Sequence, residues 1–147
     1  MPQIQRSALV MYSADQMYRL VNDVSQYPEF LPNCADAKIL SQQGDDMVAS
    51  LQISKGGIQQ WFTTKNTLHA GRKVEMSLED GPFKSLAGGW EFLPLADNAC
   101  KIVLTLQFEF SSKLIEAAFG RVFNSLTNSM VDAFTQRARS VYGEPEL

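Results

Sequence analysis

A chain of 147 residues, 45% of them hydrophobic and 20% charged, has the size of one domain spanning 1–147, and such a domain buries roughly two thirds of the surface its unfolded form exposes. Thirteen basic against sixteen acidic side chains leave a net charge of −3 with no run of lysine or arginine, which gives little support to nonspecific nucleic-acid binding by phosphate neutralisation, leaves room for a local patch, and makes DNA an unexpected partner. No apolar stretch approaches the ~18 residues of a membrane span, and the start MPQIQRSALVMYS lacks a cationic region followed by a long apolar one, so the expectation is a cytoplasmic protein without a transmembrane segment.

Residues 4–10 read as a first strand. Ser13-Ala14-Asp15-Gln16 then forms a capping box, in which the Ser13 hydroxyl and the Gln16 amide satisfy free backbone donors at a helix start. Met17, Leu20, Val21 and Val24 follow the spacing of one buried helical face, and the helix should end before Tyr27, because Pro28 pushes the residue ahead of it out of helical geometry. The stretch YPEFLPNC, 27–34, reads first as a rigid corner and second as a mobile lid. Pro28 and Pro32 stiffen it, and Tyr27, Phe30 and Leu31 supply a nonpolar cap. Cys34 should begin a strand as a small apolar residue; it and Cys100 are too far apart in sequence for a metal-type pair.

From 35 to 110 the period changes to two. Met47, Ala49, Leu51 and Ile53 alternate with Val48, Ser50, Gln52 and Ser54; Gly56-Gly57 supplies a hairpin turn before a strand over 58–68. Val74, Met76 and Leu78 continue the pattern, Asp80-Gly81-Pro82 makes another turn, and a strand over 85–95 follows. In the last strand Ile102, Leu104, Leu106, Phe108 and Phe110 share one face, which is the pattern of an antiparallel meander buried on one side. After the natural N-cap Ser111-Ser112, a helix over 113–142 carries the apolar stripe Ile115, Phe119, Val122, Phe123, Leu126, Met130 and Phe134. Glu116 sits near its start, Arg137 and Arg139 near its end, and Gly143 and Pro145 form the stop. At 1.5 Å per residue such a helix is about 45 Å long, more than a flat meander needs for cover, so the sheet must curve around it.

Strand, helix, helical corner, meander and long terminal helix is the order of an α+β helix-grip fold (START-like, Bet v-like), with a curved antiparallel sheet of six or seven strands wrapped around the C-terminal helix. The segments NDVSQYPEFLPNC, DGPFKSLAGGWEFLPL and LTLQFEFSSKLIEAAFGRVFNSLTNSMVDAFTQRARSVYG closely resemble the RatA family of bacterial ribosome-association toxins. They resemble more loosely the mitochondrial coenzyme Q-binding proteins of the wider START-like, polyketide cyclase/dehydrase group. The resemblance implies this fold over nearly the whole chain. It implies function less narrowly, because members of the group carry lipids, quinones or hormones and a minority are enzymes.

Catalysis finds no carrier in the sequence. His69, the single histidine, ends a polar strand, where a solvated side chain is the simpler reading, and Asp45-Asp46 and Glu79-Asp80 sit in turn-like segments. No phosphate loop and no metal-spaced cluster occurs, so neither a catalytic residue nor a metal or required cofactor is expected. Gly88-Gly89-Trp90 marks a sheet bend carrying the aromatic pair Trp90 and Phe92, with a ligand wall as the second reading; Gly120, inside the long helix, permits close packing or a widened cavity mouth.

Two function classes follow. The first is nonenzymatic binding of a hydrophobic molecule between sheet and C-terminal helix, in a groove lined by Tyr27, Phe30, Leu31, Trp90, Phe92, Phe119, Phe123, Leu126 and Met130. The resemblance, not the residues, supplies the ligand as ubiquinone or a similar polyisoprenoid lipid, in support of respiration. The second, implied by the resemblance to the RatA family, is docking on the large ribosomal subunit so that the subunits fail to join. Lys84, Lys113 and Arg121 are the contact candidates, with Lys55, Lys65, Arg72 and Lys73 as further surface cations. The residues favour the ligand reading over the ribosomal one, with an enzyme third.

Overall fold

The computed structural model describes residues 3–55 and 57–143. Strand β1 (Gln3–Val10) leads into α1 (Ala14–Asn22) and a 3-10 helix (Val24–Glu29). Then come β2 (Cys34–Gln43), β3 (Asp46–Lys55), β4 (Ile58–His69), β5 (Lys73–Asp80), β6 (Phe83–Ala96), β7 (Ala99–Phe110) and the 30-residue α2 (Lys113–Tyr142). All neighbours in the seven-stranded sheet are antiparallel, in the order β1-β7-β6-β5-β4-β3-β2. The first strand therefore closes onto the last, Ile4 opposite Leu106 and Val10 opposite Cys100. The helix-grip architecture expected from the element order is present.

The two helices start where their caps dictate. Ser13 Oγ accepts from the Gln16 backbone N–H at 3.1 Å while Gln16 Oε1 accepts from the Ser13 N–H at 2.9 Å, and Ser112 Oγ accepts from the Ile115 N–H at 3.1 Å. Gly143, at φ 83°, ends α2 as its N–H donates to the Arg139 carbonyl; Pro145 and Gly56, named with it as stop and turn residues, lie outside the described residues.

One boundary departs from the sequence reading. The α-helix ends at Asn22, and Tyr27 and Pro28 lie inside the 3-10 helix rather than beyond a helical end. Pro28 donates nothing, but the Gln26 N–H to Asp23 carbonyl bond (3.1 Å) and the Leu31 N–H to Tyr27 carbonyl bond (2.9 Å) carry the turn on either side of it. Burial supplies the rest: Tyr27 is 6% exposed, its hydroxyl donates to the Val21 carbonyl, and its ring meets Phe134 edge-on at 5.3 Å. Tertiary packing here outweighs the local preference of the residue before a proline.

The core lies between the inner face of the sheet and α2. In β7 the alternation is complete, with Ile102, Leu104, Leu106, Phe108 and Phe110 all buried. Facing them on α2 are Phe119, Val122, Phe123, Leu126, Met130, Val131, Phe134 and Ala138, while Ile115 is only half-buried at the open end. Gly88 and Gly89 sit mid-β6 at positive φ, where the backbones of β7 and β5 pass close by. A Cβ on Gly88 would stand 2.0 Å from the Thr105 carbonyl oxygen of β7, and one on Gly89 1.9 Å from the Val74 carbonyl oxygen of β5. What approaches these two glycines is neighbouring backbone, the close approach that a glycine inside a strand permits.

Gly120 is a different case. A Cβ there would meet Glu116 Cγ and Phe110 Cε2 at 3.7 Å, ordinary van der Waals contact, so close packing does not require a glycine. Gly120→Ala is expected to raise stability by about 1 kcal/mol, the helix-propensity difference, as a higher midpoint in urea unfolding at unchanged slope. A loss of stability would mean that Phe110 and α2 are closer than described.

Candidate functional site

Between α2 and the sheet lies a cavity of about 50 Å³. Its roof is one face of α2, with Phe123, Leu126, Thr127 and Met130. Its floor is built from Ala49 and Leu51 on β3, Phe62, Thr64 and Asn66 on β4, Val74 and Met76 on β5, Leu86 and Trp90 on β6, and Leu106 on β7. Val21 and Asn22 of α1 and Val24 and Tyr27 of the 3-10 helix close one side. The period-two alternation puts the floor residues on one sheet face, and the spacing of three and four does the same for the roof.

Of the nine residues named as groove lining, the cavity brings together Tyr27, Trp90, Phe123, Leu126 and Met130. The other four lie elsewhere. Phe30 packs on Phe134 at 5.1 Å beneath the Arg137 guanidinium, and Leu31 is buried at 4% exposure under the corner. Phe92 stacks beside Trp90, planes 11° apart, and turns its other side to Tyr18 at 5.9 Å. Phe119 belongs to an aromatic cluster with Phe83, Phe110 and Phe123 at the start of α2.

Phe62 and the polar residues of the lining were not among the nine. In QWFTTKNTLH, Phe62, Thr64, Asn66 and Leu68 share one parity and are all buried, whereas Trp61 sits half-buried on the outer face with Lys38 Nζ 5.2 Å from its ring centroid. The alternation was legible, but threonine and asparagine at the inward positions made it look like a polar strand. Thr64 Oγ1 donates to Asn66 Oδ1 at 2.9 Å, and Thr127 Oγ1 donates back to the Phe123 and Asn124 carbonyls at 3.1 and 3.2 Å.

Among the described residues, no aspartate, glutamate, histidine, lysine, arginine or cysteine lines the cavity. Tyr27 is its one titratable side chain, and burial, with Cys34 and Asp23 nearby, raises its pKa far above the ordinary phenol value. Cys34 and Cys100 are both buried, and burial pushes each thiol up to about 11, which removes the thiolate a nucleophile requires at neutral pH. His69 lies outside this cavity, exposed at the end of β4, with Nε2 3.5 Å from Glu75; Lys73 first, and His69 after it, hold the Glu75 carboxyl below its usual range.

The sequence pattern of the family described as polyketide cyclase / dehydrase and lipid transport matches residues 10–135. The chain belongs to this family. Within it, the chain is 59% identical over 144 residues to the ribosome association toxin RatA of Vibrio cholerae, an alignment that covers 98% of this chain and all of that protein. It is 30% identical over 146 residues to the mitochondrial coenzyme Q-binding protein of Drosophila melanogaster, covering 97% of this chain and 60% of that protein. The crystal structure of the Zhui aromatase/cyclase from Streptomyces sp. R1128 superposes with a TM-score of 0.79 over 95% of each chain, at 20% identity, a likeness of fold alone. The family thus joins polyketide cyclases and dehydrases to lipid transport.

The cations named from the sequence do not form one patch. Lys84 lies in the first residues of β6, opposite the end of β7, and β7 leads through Ser111 and Ser112 into the first turns of α2, so Lys84, Lys113 and Arg121 share one end of the molecule. Asp80, Glu109 and Glu116 share that end too. Arg72 and Lys73 lie at the opposite end, with Lys73 Nζ 3.0 Å from Glu75, and Lys65 is mid-strand on the outer face. Among the described residues no helix is long and apolar enough to cross a membrane.

Proposed function

We propose that this family member is a ribosome-associating toxin of the RatA type, which docks on the large ribosomal subunit in the cytoplasm and impedes subunit joining. It acts as one domain without a cofactor or catalytic step. The observation that carries the reading is the 59% identity to a ribosome association toxin over 98% of this chain and the whole of that protein. The cavity argues in the same direction: at about 50 Å³ it is well below the roughly 300–1,000 Å³ of pockets that enclose small molecules. That reverses the order in which the residues alone put the two readings. The exposed end that carries Lys84, Lys113 and Arg121 is the docking candidate.

Docking through these cations makes binding salt-dependent, since each phosphate neutralised releases counterions. Co-sedimentation with large subunits is expected to weaken steeply from low to physiological salt, and Lys84→Glu or Arg121→Glu to weaken it further and reduce the salt slope by about one per contact removed. Absence of the protein from the large-subunit fraction at both salts would end this reading.

A second reading, nonenzymatic binding of an apolar molecule such as a ubiquinone, is favoured by the aromatic and aliphatic lining around Trp90 and by the coenzyme Q-binding relative. It requires the cavity to open. Met76 and Met130, both in the lining, are the flexible side chains whose rotation would enlarge it.

A further inference from the structure

Among the described residues lining the cavity, Asn66 carries an amide N–H that no protein acceptor engages. Asn66 is 6% exposed, and its Oδ1 is engaged by the Thr64 hydroxyl at 2.9 Å. Its Nδ2 has no acceptor among the described residues, and the residue lines the cavity. An asparagine amide offers two N–H donors, and Nδ2 is not among the fully buried atoms without a partner, so it keeps accessible surface through which an acceptor can reach it. The other cavity hydroxyl, on Thr127, is committed to its own helix. Asn22, half-buried at the edge of the cavity, donates its Nδ2 to the Tyr18 carbonyl at 3.1 Å. Among the described residues that line the cavity, Asn66 therefore keeps a side-chain amide N–H without a protein acceptor.

We propose that Asn66 is the recognition residue of a site for a neutral molecule whose carbonyl, or other uncharged acceptor, accepts from its side-chain amide while the apolar body lies against Trp90, Phe123 and Met130. Thr64 is the positioning residue: by donating to Oδ1 it turns the amide so that Nδ2 faces the cavity. The absence of any cationic side chain from the lining excludes carboxylate or phosphate headgroups, which would be buried without a counter-charge. The proposal rests on the second reading above, that the cavity takes an apolar molecule, and it names the polar end of that molecule.

Duroquinone and durene test the two parts separately, because they share a tetramethylated ring and differ in the two carbonyls. Quinones quench indole, and with Trp61→Phe as background the signal comes from Trp90, 2% exposed on the cavity wall. Saturable quenching by duroquinone is expected, with weaker competition by durene. Asn66→Leu should weaken duroquinone about ten-fold, the value of one hydrogen bond, and leave durene unchanged. Thr64→Val, nearly isosteric, should weaken duroquinone by a smaller factor without loss of thermal stability. Linear quenching in the background protein, with no competition, would mean that the cavity takes no such molecule and holds a trapped water only, which overturns both the second reading and the proposal. Saturable binding that is equally tight in Asn66→Leu would overturn the role of Asn66 and leave the apolar site standing.

Discussion

Gly89→Ala is expected to destabilise the fold by at least about 3 kcal/mol, and Gly88→Ala by a similar amount. Both residues have φ near +150°, a conformation that side chains with a Cβ rarely adopt, and both have neighbouring backbone where the Cβ would go. Gly89 pairs with Glu75 on one side and Thr105 on the other, so making room means separating β6 from β5, not turning a side chain away. The effect should reach the cavity, because Trp90 is the next residue and its ring lies against Phe134 at 5.2 Å. Urea unfolding gives the stability change and the near-ultraviolet circular dichroism of Trp90 gives the local one. A loss below about 1 kcal/mol, comparable to an exposed substitution, would show that β6 does not lie as close to its neighbours as described.

The legible parts of this molecule are those where one physical signal acts alone. β7 alternates without interruption because one of its faces is buried along its whole length, and α2 is bounded by a serine that caps and a glycine that stops it, so its limits could be read to the residue. The 3-10 helix was harder, since Pro28 argues locally against helical geometry while the buried Tyr27 ring holds the turn in place. For the cavity, the apolar stripe gave the roof residues Phe123, Leu126 and Met130, but hydrophobicity cannot separate a wall from a packed core: Phe119 and Phe92 obey the same pattern and do not line this cavity. Asn66 was invisible for the opposite reason. A polar residue on a strand reads as solvent-facing until the parity of Phe62 and Leu68 places it inside.

Phe123→Asp should be the most damaging substitution on α2, costing at least about 4 kcal/mol at pH 7. Phe123 is 1% exposed, with ring centroids of Phe83 and Phe108 at 4.9 Å and those of Phe62 and Phe119 at 5.9 Å. Removing the ring leaves a void among these side chains, and the new carboxylate would find neither water nor a cation there. Its folded-state pKa should therefore rise well above its unfolded value of about 3.9. A raised carboxyl holds its proton in the folded protein where the unfolded chain has lost it, so the variant loses stability as pH increases from about 4 through that folded pKa. Phe123→Asn has a similar shape and does not titrate, which isolates the charge: the two variants should be nearly equally stable at pH 4 and diverge by pH 7, with the aspartate the weaker. Chemical denaturation of both at the two pH values measures the divergence. A constant difference between them, or a melting temperature equal to the parent's, would place position 123 in contact with water and turn the face of α2 that roofs the cavity away from the sheet.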